Sequence, residues 1–305
     1  MQYITNTSKG GISYVANNLE PIYGRVSNRK SIFTCIDSLV THYDRDLARA
    51  LLLSLFGITA GIKIHIVHVN PINLTKFKFV IRSFASIFVY KLAALLKWKF
   101  IFISRENYAD YHRFVPSQYI ANPILKDLRN ISPRALNLKD NIKFVNMGRF
   151  DFQKSQARCL DFIELMERNF PQNNFEYHFY GDGKYLEMFM DIVSKTSFKG
   201  KIFFKEWAKE VLVELDKYDI YLQSSLWEGL PTIVVEALDS GLRVISFPLS
   251  SSASLLSDAS YVDANFDFES FLFRNVGQPS LKKYLIKESL EKHLRFYEEI
   301  SILNL

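Results

Sequence analysis

The segment around Glu228 and Glu236 combines two carboxylates with a turn and the predicted start of a helix. Pro231 suits the first helical position, because the N–H that proline lacks would have no partner there. Gly241 suits the position just after the helix, where the backbone is left-handed. Unpaired N–H groups of a first helical turn bind anions, and carboxylates accept hydrogen bonds from hydroxyl groups. The segment therefore predicts a site that holds a diphosphate between hydroxyl-bearing groups.

Two cations earlier in the chain could stabilise such a diphosphate. Gly148 and Arg149 follow a predicted strand at 143–147, and Lys154 comes five residues after Arg149. A leaving diphosphate gains negative charge, which fixed cations stabilise in the transition state, arginine as a planar fork and lysine as a point charge. The alternative for both segments is structural: a buried turn with paired or solvated glutamates, and a loop with two solvated cations.

Alternating strands and helices are predicted to position these residues. Apolar, β-branched runs predict strands, and apolar residues at helical spacing predict helices between them. The predicted strands are 2–7, 31–37, 62–69 and 99–104 in the first half, and 143–147, 177–180, 201–204, 220–223 and 243–247 in the second. Such alternation is typical of α/β domains with parallel sheets, which bind ligands at the carboxyl ends of their strands.

A polar segment at 127–141, which contains Pro133, predicts a linker between two domains. We expect a first domain at 1–130 and a second at 135–285, with a terminal helix at 286–305. The first domain is short, because one strand–helix unit is missing from its predicted pattern.

The composition is that of a globular protein in a reducing compartment, with 48% hydrophobic and 23% charged residues in a chain of 305. Cys35 and Cys159 each lie in an apolar run and cannot build a disulfide framework. The first residues do not resemble a secretory signal, and no run reaches the ~18 apolar residues of a membrane span. We therefore expect a cytoplasmic protein.

Positive charge is concentrated in the first domain. The chain has a net charge of +6, but residues 1–130 carry 17 Lys and Arg against 7 Asp and Glu. Within this domain, residues 76–99 place lysines, Arg82 and Trp98 on both sides of an apolar middle, which is typical of a helix that lies in a lipid interface. A core helix with cationic ends is the alternative. Together with the overall charge, the pattern predicts peripheral membrane contact.

The motifs resemble those of GT-B glycosyltransferases of family 4, the group 1 type. Glu228-Gly229-Leu230-Pro231 through Glu236 resembles the E-x7-E motif of that family. Gly148-Arg149 with Lys154 resembles its Gly-Arg…Lys element, and Lys9-Gly10-Gly11 its glycine pair after the first strand. The resemblance implies a GT-B fold, in which two Rossmann-like domains with parallel sheets face a central cleft. It also implies that the terminal helix 286–305 packs back on the first domain.

The same resemblance assigns roles to the motif residues. Glu236 would bind the ribose hydroxyls of a nucleotide, and Glu228 would hold sugar hydroxyls near the reacting carbon. Arg149 and Lys154 would hold the diphosphate. His68, at the end of a predicted strand, matches a histidine that relatives place in the cleft, although an ordinary structural histidine is the alternative. The donor-binding residues are expected to be Gly10, Gly11, Gly148, Arg149, Lys154, Glu228, Gly229, Leu230, Pro231, Thr232 and Glu236, and the catalytic residues Glu228, Arg149, Lys154 and His68.

The implied activity is the retaining transfer of a hexose-type sugar from a nucleoside diphosphate sugar to a glycan or polyprenyl-diphosphate-linked acceptor, in the synthesis of bacterial O-antigen, capsule or lipopolysaccharide. We expect no organic cofactor and no metal, because the sequence has no Asp-x-Asp dyad of the metal-dependent glycosyltransferase kind and no Cys/His cluster at ligand spacing. Nucleic acid is not an expected partner. The expected location is the cytoplasm, at the inner face of the cytoplasmic membrane.

Two other functions remain open at this stage. A sugar-nucleotide epimerase on the same fold would act on the donor without an acceptor. A non-catalytic basic protein that binds lipid or nucleic acid would carry a degenerate transferase domain. Retention of all four charged motif residues argues against degeneracy.

Overall fold

The computed structural model describes residues 2–4, 18–19, 26–27, 36–42, 44–54, 60–68, 77–129, 131–133, 135–138, 140–249, 262, 266–273 and 280–303. The chain divides into two compact units. The first unit comprises Met1–Asp127 and Lys282–Leu305, and the second comprises Leu128–Leu281.

The first unit contains a parallel sheet of six described strands in the order β2-β1-β3-β4-β5-β6. The strands are β1 (Gln2–Ile4), β2 (Val26–Ser27), β3 (Ile36–Thr41), β4 (Ala60–Val67), β5 (Lys99–Phe102) and β6 (Ser117–Tyr119). The described helices that follow strands are α1 (Asp44–Ser54), α2 (Phe77–Leu95) and α3 (Arg105–Tyr111). Aromatic side chains fill the core between α2 and the sheet, where Tyr90, Trp98 and Phe100 are buried.

The second unit contains a parallel sheet of five described strands in the order β11-β10-β7-β8-β9. The strands are β7 (Ile142–Met147), β8 (Phe175–Tyr180), β9 (Ile202–Lys205), β10 (Ile220–Gln223) and β11 (Arg243–Ser246). The described helices are α4 (Arg158–Asn169), α5 (Leu186–Ser194), α6 (Val211–Leu215), α7 (Thr232–Asp239) and α8 (Phe268–Phe273). A phenylalanine-rich core, with Phe144 and Phe162 at its centre, lies under the sheet.

The last described helix, α9 (Ile286–Leu303), belongs to the first unit. Its first N–H, from Ile286, donates to the carbonyl oxygen of Leu125 at 2.7 Å. The Ser289 hydroxyl donates to the carbonyl oxygen of Ala121 at 2.7 Å. The chain therefore returns to the first unit after completing the second.

The predicted α/β fold with two sets of parallel strands is confirmed. Boundaries shift where the sequence pattern was ambiguous. The strand predicted at 31–37 is β3 at Ile36–Thr41, and residues 31–35 of the prediction lie outside the described part of the chain. The strand predicted at 62–69 is β4 at Ala60–Val67, so His68 lies just beyond its carboxyl end.

Candidate functional site

The strand order of the second unit changes direction between β7 and β10. The chain runs from β7 outward through β8 to β9, and then returns to the other side of β7 with β10 and β11. Crevices at the carboxyl ends of two such strands are the usual ligand sites of parallel α/β sheets. The loop after β7 carries Arg149 and Lys154, and the loop after β10 carries Glu228. The topology therefore brings the predicted site residues of these two loops to one edge of the sheet.

Hydrogen bonds to backbone carbonyl oxygens hold these two loops together. The N–H of Leu226 donates to the carbonyl oxygen of Gln153 at 2.8 Å. The Ser224 hydroxyl donates to the carbonyl oxygen of Lys154 at 2.7 Å. Arg158, at the start of α4, donates to the carbonyl oxygens of Ser224 and Ser225 at 3.2 and 3.3 Å. The loops are thus fixed to each other before any ligand is bound.

Lys154 and Glu228 form an ion pair within this framework. Lys154 Nζ lies 2.5 Å from Glu228 Oε1, with side-chain exposures of 24% and 10%. The same oxygen accepts the Ser225 hydroxyl at 2.8 Å, and Gln153 Nε2 lies 3.4 Å from Oε2. A carboxylate that is largely shielded from water needs such donors, because leaving it unpaired is costly.

Arg149 is placed differently. Its side chain is 60% exposed, and Nη2 lies 3.6 Å from Asp151 Oδ2. Asp151 Oδ1 accepts the backbone N–H of Lys154 at 2.9 Å, so this carboxylate shapes the loop that carries both cations. Arg149 makes no ion pair with Glu228 or Glu236, and its exposed guanidinium remains accessible to a ligand.

Gly148 lies in the turn that follows β7, and Gly181 lies in the turn that follows β8. The two turns are in contact at these residues. Gly181 has a φ of +136°, and a Cβ at this position would lie 2.1 Å from the carbonyl oxygen of Gly148. Gly183 has a φ of +151°, and its Cβ would lie 2.5 Å from the carbonyl oxygen of Phe150. Only glycine fits such positions. A Cβ on Gly148 itself would meet the stem of Lys154 at 3.5 Å, which is ordinary contact, so Gly148 is not required by packing.

The helix that carries Glu236 begins without a capping side chain. Helix α7 starts at Thr232, and Pro231 is the N-cap with an extended backbone at φ −73° and ψ 93°. The prediction that Pro231 occupies the first helical position is therefore wrong by one residue. A proline cap leaves the amides of Thr232 and Ile233 without a side-chain acceptor, which preserves an anion-binding helix start.

The other end of α7 was predicted correctly. Gly241 has a φ of +75°. Its N–H donates to the carbonyl oxygen of Leu238 at 3.1 Å, and the N–H of Leu242 donates to that of Ala237 at 3.0 Å. This pair of bonds is a Schellman motif, which requires a left-handed residue just after the helix.

Glu236 is half-buried and unpaired. Among the residues that the structure describes, none donates a hydrogen bond or offers a cation to its carboxylate. Burial raises the pKa of Glu236 to about 7. The pKa of the buried Tyr221 is raised, mainly by burial and also by the charges of Glu228 and Glu236. Glu236 is thus a carboxylate with no partner among the described residues, and its oxygens are available to solvent or to a ligand.

His68 lies in the first unit, in a buried group of histidines. Its Nε2 lies 2.7 Å from Nδ1 of His42, and the two rings stack with centroids 5.0 Å apart. Burial lowers the pKa of His68 to about 3. The pKa of His293 on α9 is also lowered to about 3, mainly by burial and to a smaller extent by the charge of His68. His68 therefore contacts protein groups and is neutral at ordinary pH.

Several site residues were not predicted from the sequence. Gln153 and Ser225 both contact Glu228, and their signal was their adjacency to Lys154 and to the Glu228 turn. His42 follows β3 as His68 follows β4, and the carboxyl ends of neighbouring parallel strands meet at one sheet edge. This alignment could have identified the histidine pair.

Two predicted residues, Gly10 and Gly11, lie outside the described part of the chain. Gly229 and Leu230 are buried between Glu228 and the start of α7. Within the described ranges, no group of three or more His, Cys, Asp or Glu side chains is arranged to hold a metal ion.

Residues 129–272 match the family model of glycosyl transferases group 1. An uncharacterized glycosyltransferase of Methanocaldococcus jannaschii is 31% identical over 130 residues, which are 42% of this chain and 30% of that protein. The capsular polysaccharide biosynthesis glycosyltransferase CapH of Staphylococcus aureus is 27% identical over 160 residues, which are 52% of this chain and 43% of that protein. The chain thus spans less than half of the length of these curated relatives.

A solved structure covers the chain more completely. HepE of Anabaena, crystallised in complex with UDP-glucose, superposes with a TM-score of 0.74 at 11% identity and covers 98% of this chain and 99% of that chain. At this identity the likeness concerns the fold, and it confirms the GT-B prediction. Residues 129–272, which match the glycosyl transferases group 1 model, therefore carry Arg149, Lys154, Glu228 and Glu236 within a chain that has the GT-B fold.

Proposed function

We propose that this chain is a retaining glycosyltransferase, which moves a hexose-type sugar from a nucleoside diphosphate sugar to a hydroxyl group of a glycan or a polyprenyl-diphosphate-linked glycan. The observation that carries the proposal is the unpaired Glu236 carboxylate beside the uncapped start of α7. A nucleoside diphosphate sugar offers hydroxyl groups to the carboxylate and phosphates to the amides. The family match of residues 129–272 and the UDP-glucose complex of HepE support this donor class.

In the proposed complex, Glu236 accepts hydrogen bonds from the ribose hydroxyls. The diphosphate lies on the turn of Gly229 and Leu230 and on the first amides of α7, with Arg149 reaching it from the loop after β7. Arg149 fits this role because its side chain is 60% exposed and weakly held by Asp151 at 3.6 Å. A guanidinium gives a phosphate two parallel hydrogen bonds.

Lys154 and Glu228 exchange partners in this proposal. Without a donor, Lys154 neutralises Glu228 at 2.5 Å. When the donor binds, its diphosphate competes with Glu228 for Lys154. Glu228 then becomes free to accept hydrogen bonds from hydroxyl groups of the transferred sugar. Negative charge then grows on the leaving phosphate, which Lys154 and Arg149 stabilise most strongly in the transition state. The leaving phosphate takes the acceptor proton on the same face of the sugar, so no side-chain nucleophile is assigned.

The acceptor is proposed to belong to bacterial surface polysaccharide synthesis at the inner face of the cytoplasmic membrane. The name of the relative CapH, a capsular polysaccharide biosynthesis glycosyltransferase, supports the polysaccharide class. The 17 Lys and Arg against 7 Asp and Glu in residues 1–130 support an anionic, lipid-linked acceptor. Neither an organic cofactor nor a metal has a step in this mechanism. A catalytic role for His68 would require its hydrogen bond with His42 to open.

A thermal-shift panel of UDP-, GDP-, ADP- and dTDP-sugars tests the donor class, because a bound donor stabilises the folded protein by mass action. We expect one nucleotide to raise the melting temperature of the wild type and to have a much smaller effect on Glu236→Ala. Product analysis with donor alone then separates transfer from epimerisation. An epimerised or hydrolysed donor without acceptor, or no shift with any donor, would contradict the transferase proposal.

A further inference from the structure

One surface of the first unit exposes large apolar side chains along a helix. On α2, Phe88 and Leu95 are 68% and 81% exposed, and Leu92 between them is 39% exposed. Their spacing places them on one side of the helix. The other side is packed into the core, where Tyr90 is 1% exposed and Ala93 is fully buried. From Ser86 onward, the described side chains of α2 therefore form one buried face against the sheet and a second apolar face without a partner among the described residues.

The exposed face continues past the end of the helix. Leu96 is 37% exposed, and Phe114, in the turn after α3, is 56% exposed. Lys91 Nζ lies 5.4 Å from the centre of the Phe114 ring, which connects the α2 face with that turn. We call Phe88, Leu92, Leu95, Leu96 and Phe114 the apolar patch. Single exposed apolar residues are normal, but five large ones at neighbouring positions mark an interaction surface.

Cations surround the apolar patch. Lys91, Lys97 and Arg113 are exposed beside it. Lys63 Nζ donates to the carbonyl oxygen of Leu96 at 3.0 Å, at the carboxyl end of α2. Lys97 continues the chain there in a left-handed conformation, with a φ of 64°. Positive charge at this end of a helix is favourable, because the last carbonyl groups carry partial negative charge.

The sequence around the α2 part of the patch contains no acidic residue, whereas Glu106 and Asp110 on α3 precede Phe114. Residues 47–105 include nine Lys and Arg and no Asp or Glu. This stretch runs from α1 through the whole of α2 to the start of α3. A partner of this surface must therefore accept apolar side chains and carry negative charge itself.

An anionic bilayer satisfies both requirements. Phe and Leu enter the boundary between head groups and acyl chains, while Lys and Arg extend their charged ends to the phosphates. Nucleic acid would satisfy the charge but would leave aliphatic side chains such as Leu92 and Leu95 against a polar surface. Within the described residues, no helix is long and apolar enough to cross a membrane, so α2 would lie along the surface.

We propose that the apolar patch, with Lys91 and Lys97, docks the first unit on an anionic phospholipid bilayer. This docking goes beyond the proposed sugar transfer and does not depend on it, because none of these residues belongs to the donor site. A helix in residues 76–99 was expected to lie in a lipid interface, with the charge of residues 1–130 in support, and the structure adds which face of α2 is exposed and the turn at Phe114.

Vesicle sedimentation of the full chain without nucleotide tests the proposal. We expect the wild type to sediment with vesicles of phosphatidylglycerol and phosphatidylethanolamine, and to stay in the supernatant with phosphatidylcholine alone. The double variant Phe88→Gln/Leu95→Gln should lower the partition coefficient by about tenfold or more, because it removes the deepest apolar contacts. The matched control Met188→Gln/Ile302→Gln removes side chains that are 54% and 72% exposed elsewhere and should bind as the wild type does.

A charge-reversal pair tests the basic part of the surface. The Lys91→Glu/Lys97→Glu variant should lower binding to the anionic vesicles by about tenfold or more. The control variant Lys184→Glu/Lys209→Glu makes the same change in net charge at exposed lysines of the second unit, and it should have little effect. Equal loss with both pairs would show attraction by net charge alone and would overturn the proposal. Binding of the Phe88→Gln/Leu95→Gln variant to vesicles at the wild-type level would also overturn the proposal. Tight binding of duplex DNA that this variant retains would overturn it too. Each variant's donor-induced thermal shift reports separately on the donor site.

Discussion

Lys154 Nζ lies 2.5 Å from Glu228 Oε1, so the cation and one carboxylate of the predicted diphosphate site neutralise each other across two loops. One residue is on the loop after β7 and the other on the loop after β10, and 74 positions separate them in the chain. The pair therefore stabilises the contact between the two loops, in addition to any role in binding a ligand. It joins the loops that follow β7 and β10, the two neighbouring strands at which the strand order changes direction.

The stability of the second unit should depend on this pair. Lys154→Met should lower the free energy of unfolding by about 1–3 kcal/mol, because Glu228 loses its cation in a site that is 10% exposed. Urea unfolding measures the change. Lys195→Met is the matched control, since Lys195 and Asp191 are 70% and 62% exposed and such pairs contribute about 0–0.5 kcal/mol. Equal losses in the two variants would contradict this assignment.

Glu236 should make the protein less stable as the pH rises through neutrality. Burial raises its folded-state pKa from 4.5 to about 7, so the folded state binds more protons than the unfolded state between these values. Stability that is present below pH 4.5 is therefore lost progressively up to about pH 7.

Glu236→Gln should remove this pH dependence. Relative to the wild type, the variant should gain about 2–3 kcal/mol between pH 5 and pH 8, because an amide does not ionise. Urea unfolding of both proteins at the two pH values gives the difference, in which the contributions of all other groups cancel. A constant difference across the range would show that Glu236 is ionised with an ordinary pKa.

The affinity of the wild type for the donor should rise with pH, whereas its stability should fall. The ionised Glu236 is the better acceptor for ribose hydroxyls, so the affinity should rise by a few-fold between pH 6 and pH 8. Titration calorimetry with the nucleotide identified in the thermal-shift panel measures it. Glu236→Gln should bind more weakly at pH 8 and show little change with pH. A wild-type affinity that is flat over this range would argue against Glu236 as a hydroxyl acceptor.

Gly181, where the turns after β7 and β8 touch, and Gly200, in a short 3-10 helix before β9, should respond differently to alanine. Gly181→Ala should cost about 3 kcal/mol or more, because its φ of +136° is unfavourable for alanine and its Cβ would meet a backbone oxygen at 2.1 Å. Gly200→Ala is the control, since nothing lies within 4 Å of its Cβ position, and it should change stability by about 0.5 kcal/mol or less. Thermal or urea unfolding compares them. Similar stability of both variants would contradict the close approach of the turns after β7 and β8.

The buried histidines should make the first unit sensitive to acid. His42, His68 and His293 have lowered pKa values, chiefly because of burial, so the unfolded state binds more protons below about pH 6.5. Their stabilisation is complete above that pH and is lost as the pH falls toward 3. His293→Leu should reduce the loss of stability between pH 7 and pH 5 by about 2 kcal/mol. An unchanged loss would show that His293 does not titrate with folding.

The sequence determined the α/β class and the positions that resemble a donor site, because both depend on local information. Strand and helix periodicity, the Gly241 helix end and the spacing of Glu228 and Glu236 are properties of short segments. The same segments left residue boundaries open, and Pro231 was assigned to the first helical position, where proline is most frequent, although it is the N-cap. The pattern at residues 76–99 predicted a helix in a lipid interface, but it did not show which face of that helix is exposed.

Only the tertiary structure decided which groups meet. The pairing of Lys154 with Glu228, the stacking of His42 on His68 and the contact of Gly181 with Gly148 all join strand ends that are distant in the chain. The raised pKa of Glu236 likewise depends on what packs around α7, and the exposure of Phe88 and Leu95 depends on which face of α2 the sheet covers. Periodicity predicts that a helix has an apolar face, but it does not show that a second apolar face is left to the solvent.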